Sequence, residues 1–280
     1  MRNVLNTLRV LEEVASRQPV GVGELARVLA MPKSSVQRAL VTLSTAGWIR
    51  PTSGEVTRWV MTTKALAVGG HASGDLGLRD AAVPIMEDLR RRTEETIHLT
   101  VPEDDKVVLI ERLETLKPVR ISMALGHALP LHASANGKAV LANSGRETIS
   151  RLLANELPRY TDTTITNPDQ LLAELTAIRE QGFAVNHGEW RSDVGSVAAA
   201  VMGGPEKPIA SLSVNVPMSR LTMEAEAVYG TAVSEAASSL SARLGYVPGP
   251  APGTGSEQLP AAAATDARTR PEETLRLGPK

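Results

Sequence analysis

The 280-residue chain has no cysteine, one phenylalanine and an aromatic content of only 2%. The first absence excludes disulfides, thiolate-held metals and cysteine nucleophiles, and it fits a reducing, cytoplasmic setting. The scarcity of aromatics leaves the core to Leu, Val, Ile, Ala and Met. No run of 18 apolar residues occurs, so neither a membrane span nor a membrane partner is expected. The opening MRNVLNTLRVLEEV is amphipathic and acid-bearing, without the apolar stretch of a secretion signal. GxxxxGK[ST] is missing, so Lys138 in ANGK is not a phosphate-loop lysine, and no G-x-S-x-G elbow is present.

The five histidines are His71, His98, His127, His132 and His187. A metal site would need several of them to converge without help from cysteine. His127 and His132 flank Pro130 and share no helical face, and His132 is expected to serve structure. Glu189 and Asp193 come nearest to the paired carboxylates of an enzyme, the alternative class of function, but they lie in a Gly-broken stretch. No catalytic residue, metal or cofactor is expected.

What the chain does hold is an uneven charge. Residues 1–63 carry eight Lys/Arg and four acids, a net +4, which leaves −5 for the rest of a chain at −1. A small basic head on an acidic body suits a DNA reader.

The head itself has a pattern. Val4, Leu8, Leu11 and Ala15 form an i, i+4, i+7, i+11 stripe, predicting a helix over about 3–17 that ends at Pro19 and Gly21. A short helix follows over 22–29, with Leu25, Val28 and Leu29 expected inward. Ala30-Met31-Pro32 is a turn, and Pro32 suits the first position of the next helix, where its missing N–H costs nothing. That helix spans about 33–46 and buries Val36, Leu40 and Leu43. Its other faces carry Lys33, Ser34, Ser35, Gln37, Arg38 and Thr42.

Those side chains suit double-stranded DNA. Lysine and hydroxyls reach phosphates, while Gln and Arg pair bidentately with adenine and guanine edges. Trp48-Ile49-Arg50, a Thr-Ser-Gly turn and Val56 to Met61 then predict a β-hairpin wing. Arg50 and Arg58 flank its turn and are expected on the DNA backbone or minor groove. Trp48 and Trp59 are expected to pack the wing onto the helices. The whole is a winged helix-turn-helix.

Residues 64–74 open as a short Ala-rich linker helix, and a longer helix spans about 75–92, with Leu78, Ala82, Ile85, Met86 and Leu89 periodic. β-like runs follow at 97–101, 106–113 and 119–125. A helix packed by small residues begins within Ala133–Ala142, and further helices are expected at 146–154, 168–181 and 221–244. Strands are expected at 183–186, 197–202 and 209–216. This order lacks βαβ regularity and argues for an α+β domain on an antiparallel sheet over 75–246. Residues 247–280 hold six prolines and four glycines and are expected to be a disordered tail.

ELARVLAMPKSSVQRALVTLSTAGWI, LPLHASANGKAVLA (129–142), QGFAVNHGEWRSDVGSVAAAV (181–201) and IASLSVNVP (209–217) follow one another in an order and spacing that resemble the IclR-type bacterial transcriptional regulators, over about residues 2–246. The resemblance implies a winged helix-turn-helix in 1–63, a linker helix and a GAF-like effector domain. It implies homodimers, often paired as dimers of dimers, acting on operator DNA as repressors and sometimes as activators. A regulator that binds DNA without a ligand is the other non-enzymatic reading.

The resemblance also implies a pocket over the effector sheet for a small organic molecule, often a carboxylate or an aromatic acid. Its motif-matched positions here are Leu129, Ala135, Asn136, Asn186, Ser196, Ser213 and Asn215. Asn186 stands where Asp is frequent in the family, Ser196 where Cys is frequent, and Asn136 where a smaller residue is common. From the residues alone, free N–H groups at the helix start Ala135-Asn136-Gly137 favour an anion, and Ser213 and Asn215 alternate onto one strand face.

Overall fold

The computed structural model describes residues 2–54, 56–65, 67–68 and 76–246. The expected tail at 247–280 lies outside the described residues. Of the expected linker, Lys64, Ala65, Ala67 and Val68 are helical, and 69–74 lie outside the described residues.

The N-terminal elements are α1 (Arg2–Arg17), α2 (Val22–Val28), α3 (Lys33–Thr45), β1 (Ile49–Pro51) and β2 (Trp59–Met61). Val36, Ala39, Leu40 and Leu43 of α3 bury against Val10 and Val14, Leu25 and Leu29, and Ile49 and Trp59. The stripe expected for α1 is therefore corrected. Val4, Leu8 and Ala15 are exposed, and Val10 and Val14 face the core, with Leu11 half-buried. Both stripes satisfy helical spacing, and only the placement of α3 and β2 selects between them.

Val28 is likewise exposed, its expected inward place taken by Ala26. Pro32 precedes the helix rather than opening it, and its carbonyl accepts from Ser35 and Val36. The wing is held as expected: Trp59 is buried, and Trp48 is half-buried under the Lys64 ammonium.

The remaining elements are α4 (Leu76–Thr93), β3 (Thr96–Glu103), β4 (Lys106–Leu113), β5 (Ala128–Pro130), α5 (Ala135–Ala142), α6 (Arg146–Leu153), α7 (Pro168–Gln181), β6 (Ala184–His187), β7 (Val194–Met202), β8 (Pro208–Pro217) and α8 (Met223–Arg243). The strands form one antiparallel sheet in the order β5-β4-β3-β8-β7-β6. The β-like run at 119–125 is not a strand, and the short β5 at 128–130 pairs with β4 instead. Arg112 donates to the Met123 carbonyl and Glu114 pairs with Arg120, tying the 114–126 segment down through side chains rather than a ladder.

The two faces of the sheet differ. Ile97, Leu99, Leu212, Val214, Val216, Val197 and Ala199 meet α4 and α8 in an apolar layer. The opposite face is covered in part by α5 and α7 through Val107, Ala198 and Ala184. Its centre is polar, because β3, β7 and β8 alternate apolar residues with Thr, His, Ser and Asn.

Helix α5 seats on the adjoining chain at Gly137. A β-carbon there would lie 2.4 Å from the Leu131 carbonyl oxygen and 2.6 Å from that of Pro130. Both obstacles are backbone and cannot swing aside. Gly137→Ala is expected to cost about 1–3 kcal/mol or more of folding stability, read as a lower urea midpoint. An unchanged midpoint would mean that the helix can lift without penalty.

Candidate functional site

The exposed surface of α3 follows from its buried one. With Val36, Ala39, Leu40 and Leu43 turned inward, Lys33, Ser34, Gln37, Arg38 and Thr42 are exposed and Ser35 is half-buried. Val41 is exposed among them. It was not expected there, and an exposed valine can meet the methyl group of thymine. The Thr42 hydroxyl donates to the Arg38 carbonyl at 2.9 Å, which spends its donor within the helix. Arg50 is exposed on β1. Arg58 is exposed too, but its Nη1 donates to the Pro19 carbonyl at 3.0 Å, so part of the guanidinium fastens the wing to the α1–α2 connection.

The second set of expected residues lies on the polar face of the sheet. Strand register places Asn186, Ser196, Asn215 and Thr96 in one row across β6, β7, β8 and β3. The next row holds Ala198, Ser213, His98 and Arg112, and a third holds Ala200, Ser211, Thr100 and Leu109. Opposed residues in such rows have β-carbons about 4.5–5.5 Å apart. Asn136 reaches down from α5, its Nδ2 donating to Ser211 Oγ at 2.9 Å, and Ser211 Oγ lies 2.7 Å from Thr100 Oγ1. Asn215 Nδ2 donates to Ser213 Oγ at 2.9 Å. All of these side chains except Ala200 and Arg112 are buried.

Asn136, Asn186, Ser196, Ser213 and Asn215 thus belong to one face, with Ala135 at the start of the helix above it. Leu129 stands apart. It lies on edge strand β5, where it lines a cavity of about 680 Å³ together with Tyr160, Trp190, His132 and Leu157. None of the other six expected positions lines that cavity. The expected free N–H groups of α5 are fewer than the sequence suggests, because Ser134 Oγ caps the helix by accepting from Gly137 N at 3.0 Å.

Thr96, His98, Thr100, Ser211 and Arg112 are the residues the sequence reading missed. The alternation in TIHLT signals a polar strand face, and such a face is ordinarily taken as solvated. His132 is buried with Nε2 at 2.9 Å from the Pro158 carbonyl, a structural role as expected. His127 packs on Trp190, and His187 lies 2.7 Å from Glu226, so these histidines have separate partners.

Glu189 and Asp193 do not form a carboxylate pair. Asp193 is exposed and bound to Arg191, whereas Glu189 is buried against Lys138, the ammonium 2.6 Å from its carboxylate. Lys138 is only 1% exposed and also reaches Glu174 at 2.9 Å. Asn186 Oδ1 accepts from Glu189 N at 2.7 Å, and Thr164 Oγ1 donates to the Glu189 carbonyl at 2.5 Å. The ion pair therefore holds the Asn186 turn against α5. Burial raises the Glu189 carboxyl above the usual range while the Lys138 charge pulls it down.

Lys138→Met leaves that carboxylate buried and unpaired, and is expected to cost about 3–5 kcal/mol near neutral pH. Without the lysine, the folded-state pKa of Glu189 rises further above its unfolded value. The folded protein then holds a proton that the unfolded chain gives up. The variant should recover stability as pH falls through that folded value and lose it as pH rises. Denaturant unfolding at about pH 5 and about pH 8 checks this, and equal losses at both would refute it.

Two family profiles match the chain: "IclR helix-turn-helix domain" over residues 4–53 and "Bacterial transcriptional regulator IclR C-terminal" over 71–242. The chain is 31% identical over 245 residues to the HTH-type transcriptional regulator KdgR of Escherichia coli K12, covering 87% of this chain and 93% of that protein. It is 28% identical over 249 residues to the transcriptional repressor IclR of the same organism, covering 88% and 90%. Among solved structures, an IclR homolog of Microbacterium hydrocarbonoxydans complexed with 4-hydroxybenzoate superposes with a TM-score of 0.72 at 25% identity, covering 86% of this chain and 98% of that one.

Proposed function

The chain belongs to the IclR-type family of bacterial transcriptional regulators and is a DNA-binding transcriptional regulator rather than an enzyme, and from that premise we propose that it is a repressor released or engaged by a small organic acid. The outward face of α3 carries the first part of this reading. Its Gln37 and Arg38 are exposed opposite the buried stripe, where a recognition helix presents base-reading side chains to the major groove. Lys33, Ser34, Ser35, Arg50 and Arg58 position the head on the backbone. The wing turn lies between Arg50 and Arg58.

In this reading residues 1–63 are the DNA-binding head, 64–74 the linker, 75–246 the effector domain and 247–280 a tail. The protein works in the cytoplasm as a homodimer or dimer of dimers, whose paired heads match a pseudo-palindromic operator. The polar rows under α5, with Asn136, Asn186, Ser196, Ser213 and Asn215, receive the effector, and Ala135 borders it, while Leu129 faces the separate cavity beside β5. The repressor IclR and the 4-hydroxybenzoate complex support repression and an acid effector by likeness. Effector control requires the ligand to favour one arrangement of the paired heads over the other.

Arg38→Ala is expected to weaken operator binding by about 1–3 kcal/mol and to relax sequence preference at one base position. Footprinting and titration against single-base operator variants read both effects, and a variant with unchanged affinity and preference would remove Arg38 from base reading. Effector and operator must also be linked in both directions. Equal affinity of an effector for free and operator-bound protein would rule out effector control.

A further inference from the structure

Among the described residues, His98 is the titratable group of the polar face that has no hydrogen-bond partner. Both ring nitrogens of His98 are buried without a hydrogen bond. The polar groups around it are otherwise engaged: Asn136 with Ser211, Ser211 with Thr100, and Asn215 with Ser213. A buried donor and a buried acceptor left unmade lose their hydration without return, so such a group in a native fold calls for an explanation.

The charges facing the ring are settled. Arg112, its neighbour on β4, donates to the Met123 carbonyl and lies 3.4 Å from Glu114. Its neighbour on β8 is the neutral Ser213. Burial and the Arg112 charge push the His98 pKa down to about 4, against a weaker pull from Glu114, so the ring is neutral at physiological pH. A neutral imidazole offers one N–H and one lone pair. The two nitrogens face away from each other, so each needs its own partner: the N–H is met by any acceptor oxygen, but the lone pair only by a donor, which a hydroxyl is and a carboxylate oxygen or methyl is not.

We propose that His98 is a specificity-determining residue of the effector face, where it selects small acids that carry a hydroxyl group over their deoxy counterparts. The proposal rests on the reading of this face as the effector site. Sites built to pair a ligand hydroxyl discriminate strongly against the analogue that lacks it, because their own polar groups are then left bare.

Isothermal titration calorimetry of the full chain tests this with two probe pairs, 4-hydroxybenzoate against benzoate and lactate against propionate. In the wild type the hydroxylated member of at least one pair is expected to bind tighter by on the order of tenfold. His98→Phe keeps a ring and removes both nitrogens. It is expected to abolish that preference and melt no lower than the wild type, whereas a purely structural histidine would melt lower. His98→Leu serves if the phenylalanine variant fails to fold, and His98→Gln is expected to restore part of the preference. Asn215→Leu is expected to weaken both members of the bound pair, which ties binding to this face. A preference that survives His98→Phe, or wild-type protein that binds both members equally, overturns the role of His98 and leaves the effector face standing. Binding untouched by Asn215→Leu, or no binding of any probe, overturns both.

Discussion

A lysine buried to 1% exposure in a helix of otherwise small or apolar side chains and one asparagine sets the frame of the C-terminal domain. Lys138 can stay charged there only if the chain brings carboxylates to it, because an unpaired ammonium in the interior is far costlier than the same group in water. Glu189 and Glu174 supply them from elements that are remote in sequence. Glu189 then fixes the turn that follows β6, and that turn fixes Asn186, whose side chain caps it. Glu174 ties α7 to the same point. The seat of α5 above the sheet thus depends on one buried lysine with its two carboxylates and on the absence of a β-carbon at Gly137.

Once α5 is seated, the sheet face below it becomes an interior. Threonine, serine and asparagine side chains that would otherwise face water must find partners inside: five pair with one another, and Thr96 and Asn186 accept from backbone N–H groups. Their hydroxyls and amides link α5, β3 and β8 through Asn136, Ser211 and Thr100, and through Asn215 and Ser213. The face is therefore ordered by its own hydrogen bonds. Its neutral lining suits recognition by hydrogen bonds rather than by a counter-charge. Arg112, the one cation in the rows, is already committed to Met123 and Glu114.

The head solves a simpler problem. Its aliphatic core closes around one face of α3, and everything on the opposite face is exposed for that reason. The exposed polar surface of α3 is a by-product of which residues the core takes. Arg58 shows the limit of this economy, because a side chain expected to face DNA also fastens the wing through Pro19.

Most elements could be read from the sequence because their signals are local. Val36, Leu40 and Leu43 repeat at helical spacing, TIHLT and SLSVN alternate, and Pro168 with Asn167 before it marks a helix start that the structure keeps. Where two local patterns competed, the sequence had no means of choosing. In α1 both the Val4–Leu8 and the Val10–Val14 stripes fit a helix, and the run at 119–125 is as β-prone as a true strand. Tertiary neighbours resolved each case, through the docking of α3 and β2 on α1 and the pairing of β5 with β4. By itself, then, the sequence determined the helix-turn-helix, the antiparallel α+β body and part of the polar set on its sheet, Ser196, Ser213 and Asn215 among it. Only the tertiary structure decided that the polar face is buried, that Lys138 is balanced by acids 36 and 51 positions away, and that His98 is left without a partner. Burial, charge pairing and satisfaction of polar groups are properties of what surrounds a residue, and those surroundings come from distant parts of the chain.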